Sequence, residues 1–277
     1  MKTVAGKTIL ITGGAMGIGK MLARKSIEEH GRVILWDINE KSLRDTAEEL
    51  RADGGEVYAY LVDVSDLNSI ETTARRVLKE IGTIDILFNN AGIVIGNEFV
   101  KHTAEQIEKT IRINTLGVMH IARLFLPGMI AKGEGRLINI ASAAGYVGNP
   151  SMSVYAGSKW AVLGWSDSVR LEMKKMGYRN VHVTTVTPSY IDTGMFAGVK
   201  APFLTPILKP EAIAHAIWRG MLRGNAFVRA PLIVNLLPIL RKILPTWLFD
   251  FVVGDIFGVY RSMDTFKGHS LKKPLTH

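Results

Sequence analysis

Tyr155 and Lys159 stand four residues apart, so on a helix they share one face. A free phenol ionises near pH ~10, and a neighbouring ammonium favours its phenolate. Such a pair can move a proton, with the tyrosine as base when an alcohol is oxidised and as acid when a carbonyl is reduced. The same spacing is also common on ordinary exposed helices. Ser142 adds weight, because it closes the run Asn139-Ile140-Ala141-Ser142 at the end of a β-branched stretch. In a parallel sheet, strand C-termini meet at the ligand crevice, where the serine hydroxyl could reach the same substrate oxygen.

A second constellation supplies a partner for that chemistry. Thr12-Gly13-Gly14-Ala15-Met16-Gly17-Ile18-Gly19 joins an apolar strand to a helix. Glycines there let the backbone turn tightly and approach a pyrophosphate, whose charge sits at the helix N-terminus. The spacing is G-x3-G-x-G rather than G-x-G-x-x-G, and a glycine cluster alone is weak evidence. Asp37 strengthens it, ending the second strand 18 residues past Gly19. A carboxylate there accepts hydrogen bonds from the adenosine ribose and repels a 2′-phosphate. No Lys or Arg lies within 13–19, and Ile38 follows Asp37. NAD(H) is therefore expected in preference to NADP(H).

The elements that must position these groups follow from periodicity. Strands are predicted at 8–11, 32–36, 57–62, 84–88, 136–140, 181–186 and 227–228. Helices are predicted at 17–30, 39–53, 66–80, 103–124 (ending before Pro127), 153–176 and 210–223. Strands alternating with helices imply βαβ crossovers and a Rossmann-type α/β fold, a doubly wound parallel sheet with helices on both faces. Residues 1–230 read as one NAD-binding catalytic domain and 231–277 as a C-terminal apolar helical extension.

These motifs together resemble the classical short-chain dehydrogenase/reductase family over about residues 5–230. The resemblance rests on Thr12, Gly13, Gly17 and Gly19, on Asp63-Val64 after the third strand, and on Asn89-Asn90-Ala91-Gly92 after the fourth. It rests further on Asn114, on Ser142, Tyr155 and Lys159, and on Pro188-Ser189-Tyr190-Ile191-Asp192-Thr193. It implies that Tyr155 is the acid/base and that Ser142 orients the substrate oxygen. Lys159 would bind the nicotinamide ribose and lower the Tyr155 pKa, and Asn114 would hold a proton-relaying water. Asp63 and Val64 would contact adenine, Ile191 and Thr193 the nicotinamide amide, with Asn90, Ala91, Gly92 and Pro188 completing the cofactor contacts. Ser189 departs from the glycine usual after that proline. The resemblance also implies a homodimer or homotetramer built through the helices around Asn114 and Tyr155.

The chain has 277 residues and no cysteine, which excludes disulfides, thiolate metal sites and a cysteine nucleophile. Its histidines show no metal-ligand spacing, and no G-x-S-x-G marks a serine hydrolase. Residues 1–199 carry 23 basic and 21 acidic side chains, residues 200–277 carry 11 and 4. The basic excess thus belongs to the tail, where 19 of the 30 residues 231–260 are apolar. Basic plus apolar suggests a membrane surface rather than nucleic acid, against the plainer alternative of core or an oligomer contact. Asp250, Gly254 and Gly258 at four-residue intervals predict a helix over 246–260 with a wide apolar face. The tail loosely resembles that of the retinol and 17β-hydroxysteroid dehydrogenase branch, which implies a lipophilic alcohol or carbonyl substrate. No secretory signal, N-terminal anchor or spanning helix is expected, so the expectation is a cytoplasmic protein, peripheral at a membrane through its tail. The other readings are an idle nucleotide-binding scaffold, an NADPH-linked carbonyl reductase, and a sugar epimerase or dehydratase, for which the roughly 75 residues after Pro202 are short.

Overall fold

The structure, a computed structural model, describes residues 1–203 and 205–268. Seven strands form one all-parallel sheet in the order β3-β2-β1-β4-β5-β6-β7. They are β1 (Thr8–Thr12), β2 (Arg32–Asp37), β3 (Val57–Leu61), β4 (Ile86–Asn89), β5 (Gly135–Ile140), β6 (Val181–Pro188) and β7 (Phe227–Ala230). The order reverses between β1 and β4, which opens a crevice at their C-terminal ends.

Strand residues alternate between two cores. Ile9, Ile11, Val33, Leu35 and Phe88 face α1 (Gly17–Glu28), α2 (Glu40–Ala52) and, later in the chain, Pro210–Arg223. Leu10, Ile34, Trp36 and Leu87 face the opposite way, against α3 (Leu67–Glu80) and residues of the helices that flank β5. Trp218 stacks on Phe88 with centroids 6.4 Å apart, and Trp36 meets Phe125 edge-on at 5.8 Å. Each such buried ring contributes about 2–3 kcal/mol of transfer free energy.

The helix starts are chemically marked. Asn39 caps α2 by accepting from the Ser42 N–H, and Asp66 caps α3 from Asn68. Thr103 and Gln106 form a reciprocal capping box at α4 (Ala104–Ile111). From there the chain runs through a π-helical turn, Arg112–Gly117, into α5 (Val118–Lys132). Two expectations fail here. Pro127 lies inside α5 instead of ending the preceding helix. It removes one backbone bond, but Phe125 and Met129 on either side are buried in the core and hold the helix together. The run 104–132 is also long and apolar enough to cross a membrane by length and composition, although half of its apolar window is buried inside the protein. The remaining helices are α6 (Ser153–Lys175), α7 (Pro210–Arg223), α8 (Leu237–Ile243) and α9 (Thr246–Phe249).

The tail departs from the single helix predicted over 246–260. The α-helix stops after Phe249, a π-helical turn covers Asp250–Ile256, and a 3-10 turn covers Val259–Arg261. The cause is Tyr260, which folds back so that a Cβ on Gly254 would lie 2.3 Å from its ring, while its hydroxyl donates to Asp250 Oδ1 at 2.5 Å. Gly254 is thus a packing site rather than part of an outer polar stripe. Phe249, Val253 and Val234 are buried, and the first two pack on Val147 in the loop that follows β5. Leu232, Ile243 and Trp247 point outward, each more than 70% exposed. The last nine residues of the predicted extension, 269–277, lie outside the described residues.

Candidate active site

A cleft of about 450 Å³ opens at the C-terminal ends of β1, β4 and β5. Its floor is the glycine turn. Gly13 (φ +62°) and Gly17 (φ +51°) are left-handed, where a side chain would be strained. A Cβ on Gly19 would lie 2.1 Å from the Gly13 carbonyl oxygen. The turn delivers α1 N-terminus first, with no side-chain cap and no acidic residue in its first turn. Free N–H groups in a cleft with no competing carboxylate at that end suit a pyrophosphate. Thr12 and Asn90 fasten this turn to the loop after β4. The Asn90 side chain donates to the Thr12 and Gly13 carbonyls at 3.0 Å, and the Asn90 and Ala91 N–H groups both donate to Thr12 Oγ1 at 3.0 Å.

Gly13, Met16, Gly17, Ile18, Asn90, Ala91 and Gly92 all line the cleft, as the sequence suggested. Ala15 does not. Its N–H donates to Asp37 Oδ2 at 3.0 Å and its carbonyl accepts the Thr46 hydroxyl at 2.8 Å, so both polar groups turn inward. Asp37, Ile38, Asp63 and Val64 line the adenosine end. Asp37 also accepts the Asn39 N–H on Oδ1 at 3.0 Å, and Asp63 Oδ1 accepts the Ser65 N–H and hydroxyl at 2.8 and 2.6 Å. Among the described residues the only basic side chain in the cleft wall is Lys159.

Ser142, Tyr155 and Lys159 converge at the other end. Ser142 follows β5 and starts a 3-10 turn, accepting the Ala144 N–H at 3.1 Å. Tyr155 and Lys159 project from the first turns of α6 and are almost fully buried. The Lys159 Nζ lies 5.7 Å from the Tyr155 ring centroid and donates to the Ile140 carbonyl at 2.8 Å. Burial pushes the Tyr155 phenol up to about 12, against a smaller downward pull from its hydrogen bond with Ser142. Burial likewise brings the Lys159 ammonium down to about 8. The expectation that Lys159 lowers the Tyr155 pKa is therefore not met by the protein's own groups. Both side chains are desolvated, and desolvation disfavours the charged form of each.

Asn114 is fully buried in the π-helical turn and is not part of the cleft wall. Its Oδ1 accepts the Ile93 N–H at 2.9 Å, and its Nδ2 donates to the Ile93 carbonyl at 2.9 Å and Ser158 Oγ at 3.1 Å. The side chain ties the segment after Gly92 to α6 and has no hydrogen left to donate to a water. Behind it, Asn89 donates to Asn139 Oδ1 at 2.9 Å and Asn139 to Ser166 Oγ at 2.9 Å, a buried polar ladder joining β4, β5 and α6. Pro188, Ile191 and Thr193 line the cleft over the glycine turn, with the Thr193 methyl 3.6 Å from where a Gly17 Cβ would sit. Ser189 keeps its N–H on the Ala230 carbonyl at 2.8 Å, so the departure from glycine leaves the turn closed.

Ser142 also belongs to a second, narrower cavity of about 70 Å³. Its far wall is the tail, through Val234, Leu237, Leu240, Val253 and Phe257. Phe196 divides the two spaces, edge-on to Tyr155 at 6.0 Å and to Tyr190 at 5.2 Å. Sequence reasoning missed Phe196, Tyr190 and Asn149 as site residues. Tyr190 carried a faint signal, standing inside the Pro-Ser-Tyr-Ile segment; Phe196 and Asn149 carried none.

Comparison with known proteins agrees with this geometry. A family model described as short chain dehydrogenase matches residues 7–202. Estradiol 17-beta-dehydrogenase 11 of Macaca fascicularis is 34% identical over 244 residues, 88% of this chain and 81% of that protein. Epidermal retinol dehydrogenase 2 of Mus musculus is 34% identical over 274 residues, 98% and 88% of the two chains. A short chain dehydrogenase/reductase from Burkholderia phymatum, solved in complex with NAD, superposes with a TM-score of 0.80 over the whole of both chains at 23% identity.

Proposed function

The chain belongs to the short chain dehydrogenase family, an oxidoreductase family, and on that premise we propose that it interconverts a lipophilic alcohol and its carbonyl partner with NAD(H). The observation that carries the substrate class is the second cavity, which Ser142 lines together with a wall of tail aliphatics. Relatives named for estradiol and retinol support the same class.

The cofactor cleft fits a dinucleotide by its positive-φ glycines, uncapped helix end and Asp37 rim. A bound nicotinamide would carry the hydride. Asp37, with no basic neighbour in the cleft wall, supports NAD(H) over NADP(H). Tyr155 transfers the proton to or from the substrate oxygen and Ser142 holds that oxygen. With its pKa near 12, the phenol is protonated at neutral pH and ready to act as acid in carbonyl reduction. In alcohol oxidation it works as base only when positive charge stands close by, which Lys159 supplies and a bound oxidised nicotinamide would add to. Any relay through Asn114 runs by its backbone carbonyl, since the side chain is committed to Ile93 and Ser158.

We assign the outward tail residues Leu232, Ile243 and Trp247, in a tail where Lys242 and Arg261 are also exposed, to an anionic lipid surface at which a peripheral enzyme meets its substrate. A homodimer or homotetramer through α5 and α6 completes the reading by family resemblance. The deciding experiment follows nicotinamide absorbance with both cofactors over a panel of lipophilic and short alcohols and ketones. Turnover of lipophilic members with NAD(H) is expected; no turnover of any would leave a nucleotide-binding scaffold. Liposome co-sedimentation and light scattering check the surface and the assembly.

A further inference from the structure

Resting on the oxidoreductase reading and deepening it, we infer that Ser189 is a further catalytic residue, a second hydroxyl that donates to the substrate oxygen beside Ser142. Among the described residues, Ser142, Ser189 and Phe196 alone line both the cofactor cleft and the narrower second cavity. The reacting carbon has to sit where those two spaces meet, because the hydride comes from the cleft and the body of the substrate lies in the cavity. Phe196 has no polar atom in its side chain, so the two serine hydroxyls are the polar groups of that junction.

Strand pairing brings the two serines together. Ile140 of β5 lies opposite Val186 of β6, and the Ala141 N–H donates to the Val186 carbonyl at 2.8 Å. Ser142 and Ser189 both follow shortly after that pair, and neighbouring strands run ~4.8 Å apart. Ser189 is held by its own backbone, whose N–H donates to the Ala230 carbonyl at 2.8 Å. Its side chain is half-buried and makes no hydrogen bond among the described residues. Its oxygen is not sealed off as that of nearby Thr187 is. The hydroxyl therefore faces the junction with its hydrogen uncommitted. Glycine, which the family resemblance leads one to expect here, offers no such group.

Ser142 cannot supply every donor the reaction needs. Its hydroxyl has one hydrogen. It is already hydrogen-bonded with Tyr155, and it accepts the Ala144 N–H at 3.1 Å. A hydrogen spent on the Tyr155 oxygen is not available to the substrate. In reduction a hydride reaches the carbonyl carbon, the π pair moves onto the oxygen, and the Tyr155 proton completes the new hydroxyl; oxidation reverses these transfers. Ser189 transfers nothing. It donates throughout, and its bond strengthens as charge gathers on the oxygen. A donor that gains strength in the transition state raises kcat more than it lowers KM.

Three variants test this. Ser189→Ala deletes the hydroxyl alone, Ser189→Gly removes the whole side chain, and Ser189→Thr keeps the hydroxyl. With a substrate from the panel, kcat should fall by about tenfold or more in the Ala and Gly variants alike, with KM within about threefold, and Thr should recover at least part of the loss. A packing role would instead separate Ala, which nearly fills the space, from Gly. Nucleotide titration without substrate should give the wild-type Kd within about threefold. Unchanged kcat in Ser189→Ala overturns the inference and leaves the proposed function intact. So does a loss confined to nucleotide affinity, which would put the hydroxyl on the nicotinamide amide. If no substrate turns over, the proposed function falls, and a long-chain primary amide tests Ser189 by itself, since its oxygen carries partial negative charge and its carbon resists hydride. With NADH present, the amide should raise the melting temperature of the wild type more than that of Ser189→Ala; equal rises refute the assignment.

Discussion

Asp37→Asn tests the cofactor assignment with little change of shape. Both carboxylate oxygens already accept a backbone N–H, from Ala15 and Asn39, each at 3.0 Å. These bonds fix the carboxylate at the rim of the cleft, where its remaining lone pairs would be open to the ribose of a bound dinucleotide. Two unit charges ~4 Å apart interact by about 1 kcal/mol in water and about 4 kcal/mol at an effective dielectric near 20. Asp37 is half-buried, so repulsion of a 2′-phosphate is placed at about 2 kcal/mol, or about 30-fold. A neutral amide also weakens the bonds to the ribose hydroxyls by about 1 kcal/mol, or about fivefold, against NAD(H). Together the ratio of kcat/KM for NAD(H) over NADP(H) should fall by about a hundredfold. Initial rates with one alcohol and both cofactors read this, and the melting temperature should drop only slightly, because one of the two N–H groups keeps its acceptor. A ratio unchanged within about threefold would refute the reasoning and reduce Asp37 to a brace for the turn.

Tyr155→Phe should lower turnover at least about a hundredfold with cofactor binding little changed, checked by steady-state rates and by nucleotide titration. Lys159→Met should abolish turnover yet stabilise the fold. With its folded pKa near 8 against an ordinary 10.5, the buried ammonium opposes folding at neutral pH. Between pH 8 and 10.5 the unfolded chain holds a proton that the folded chain has released, so wild-type stability rises with pH across that window. The variant should therefore gain about 1–3 kcal/mol at pH 7, with the gap closing towards pH 10.5; calorimetry showing a loss at pH 7 would mean that the bond to the Ile140 carbonyl outweighs desolvation. Gly19→Ala, driving a methyl against the Gly13 carbonyl, should destabilise by at least about 1–3 kcal/mol and abolish nucleotide binding in a titration. Leu237→Trp fills the tail side of the second cavity and should raise KM for long alcohols much more than for short ones, measured over a chain-length series.

The fold and most of the site were legible in the sequence because both rest on local codes. Period-two and period-3.6 patterns located all seven strands and the main-domain helices; Gly13, Asp37 and Ser142 sit at or just after strand ends, and Gly17, Tyr155 and Lys159 on the first turns of α1 and α6, all around the cleft that parallel topology opens there. Features that depend on long-range packing were hidden. The sequence carried Ala15 as a cofactor contact, but its N–H turns to a carboxylate 22 positions on. Asn114 read as a water holder, and only the folded chain shows that Ile93 and Ser158 take its side chain, so that such a role falls to its backbone. The Tyr155–Lys159 spacing foretold a shared face, but not the burial that pushes the tyrosine up in the protein alone, since desolvation is set by everything packed around the pair. The tail's apolarity was plain from composition, but only the tertiary structure decided its path: Tyr260 breaks the helix over Gly254, and Phe249 and Val253 dock on Val147. Asn149, Tyr190 and Ser262 come from three distant segments and share no spacing. A hydrogen-bond network of that kind exists only once the chain has closed, because each donor's choice depends on where the others have already been placed.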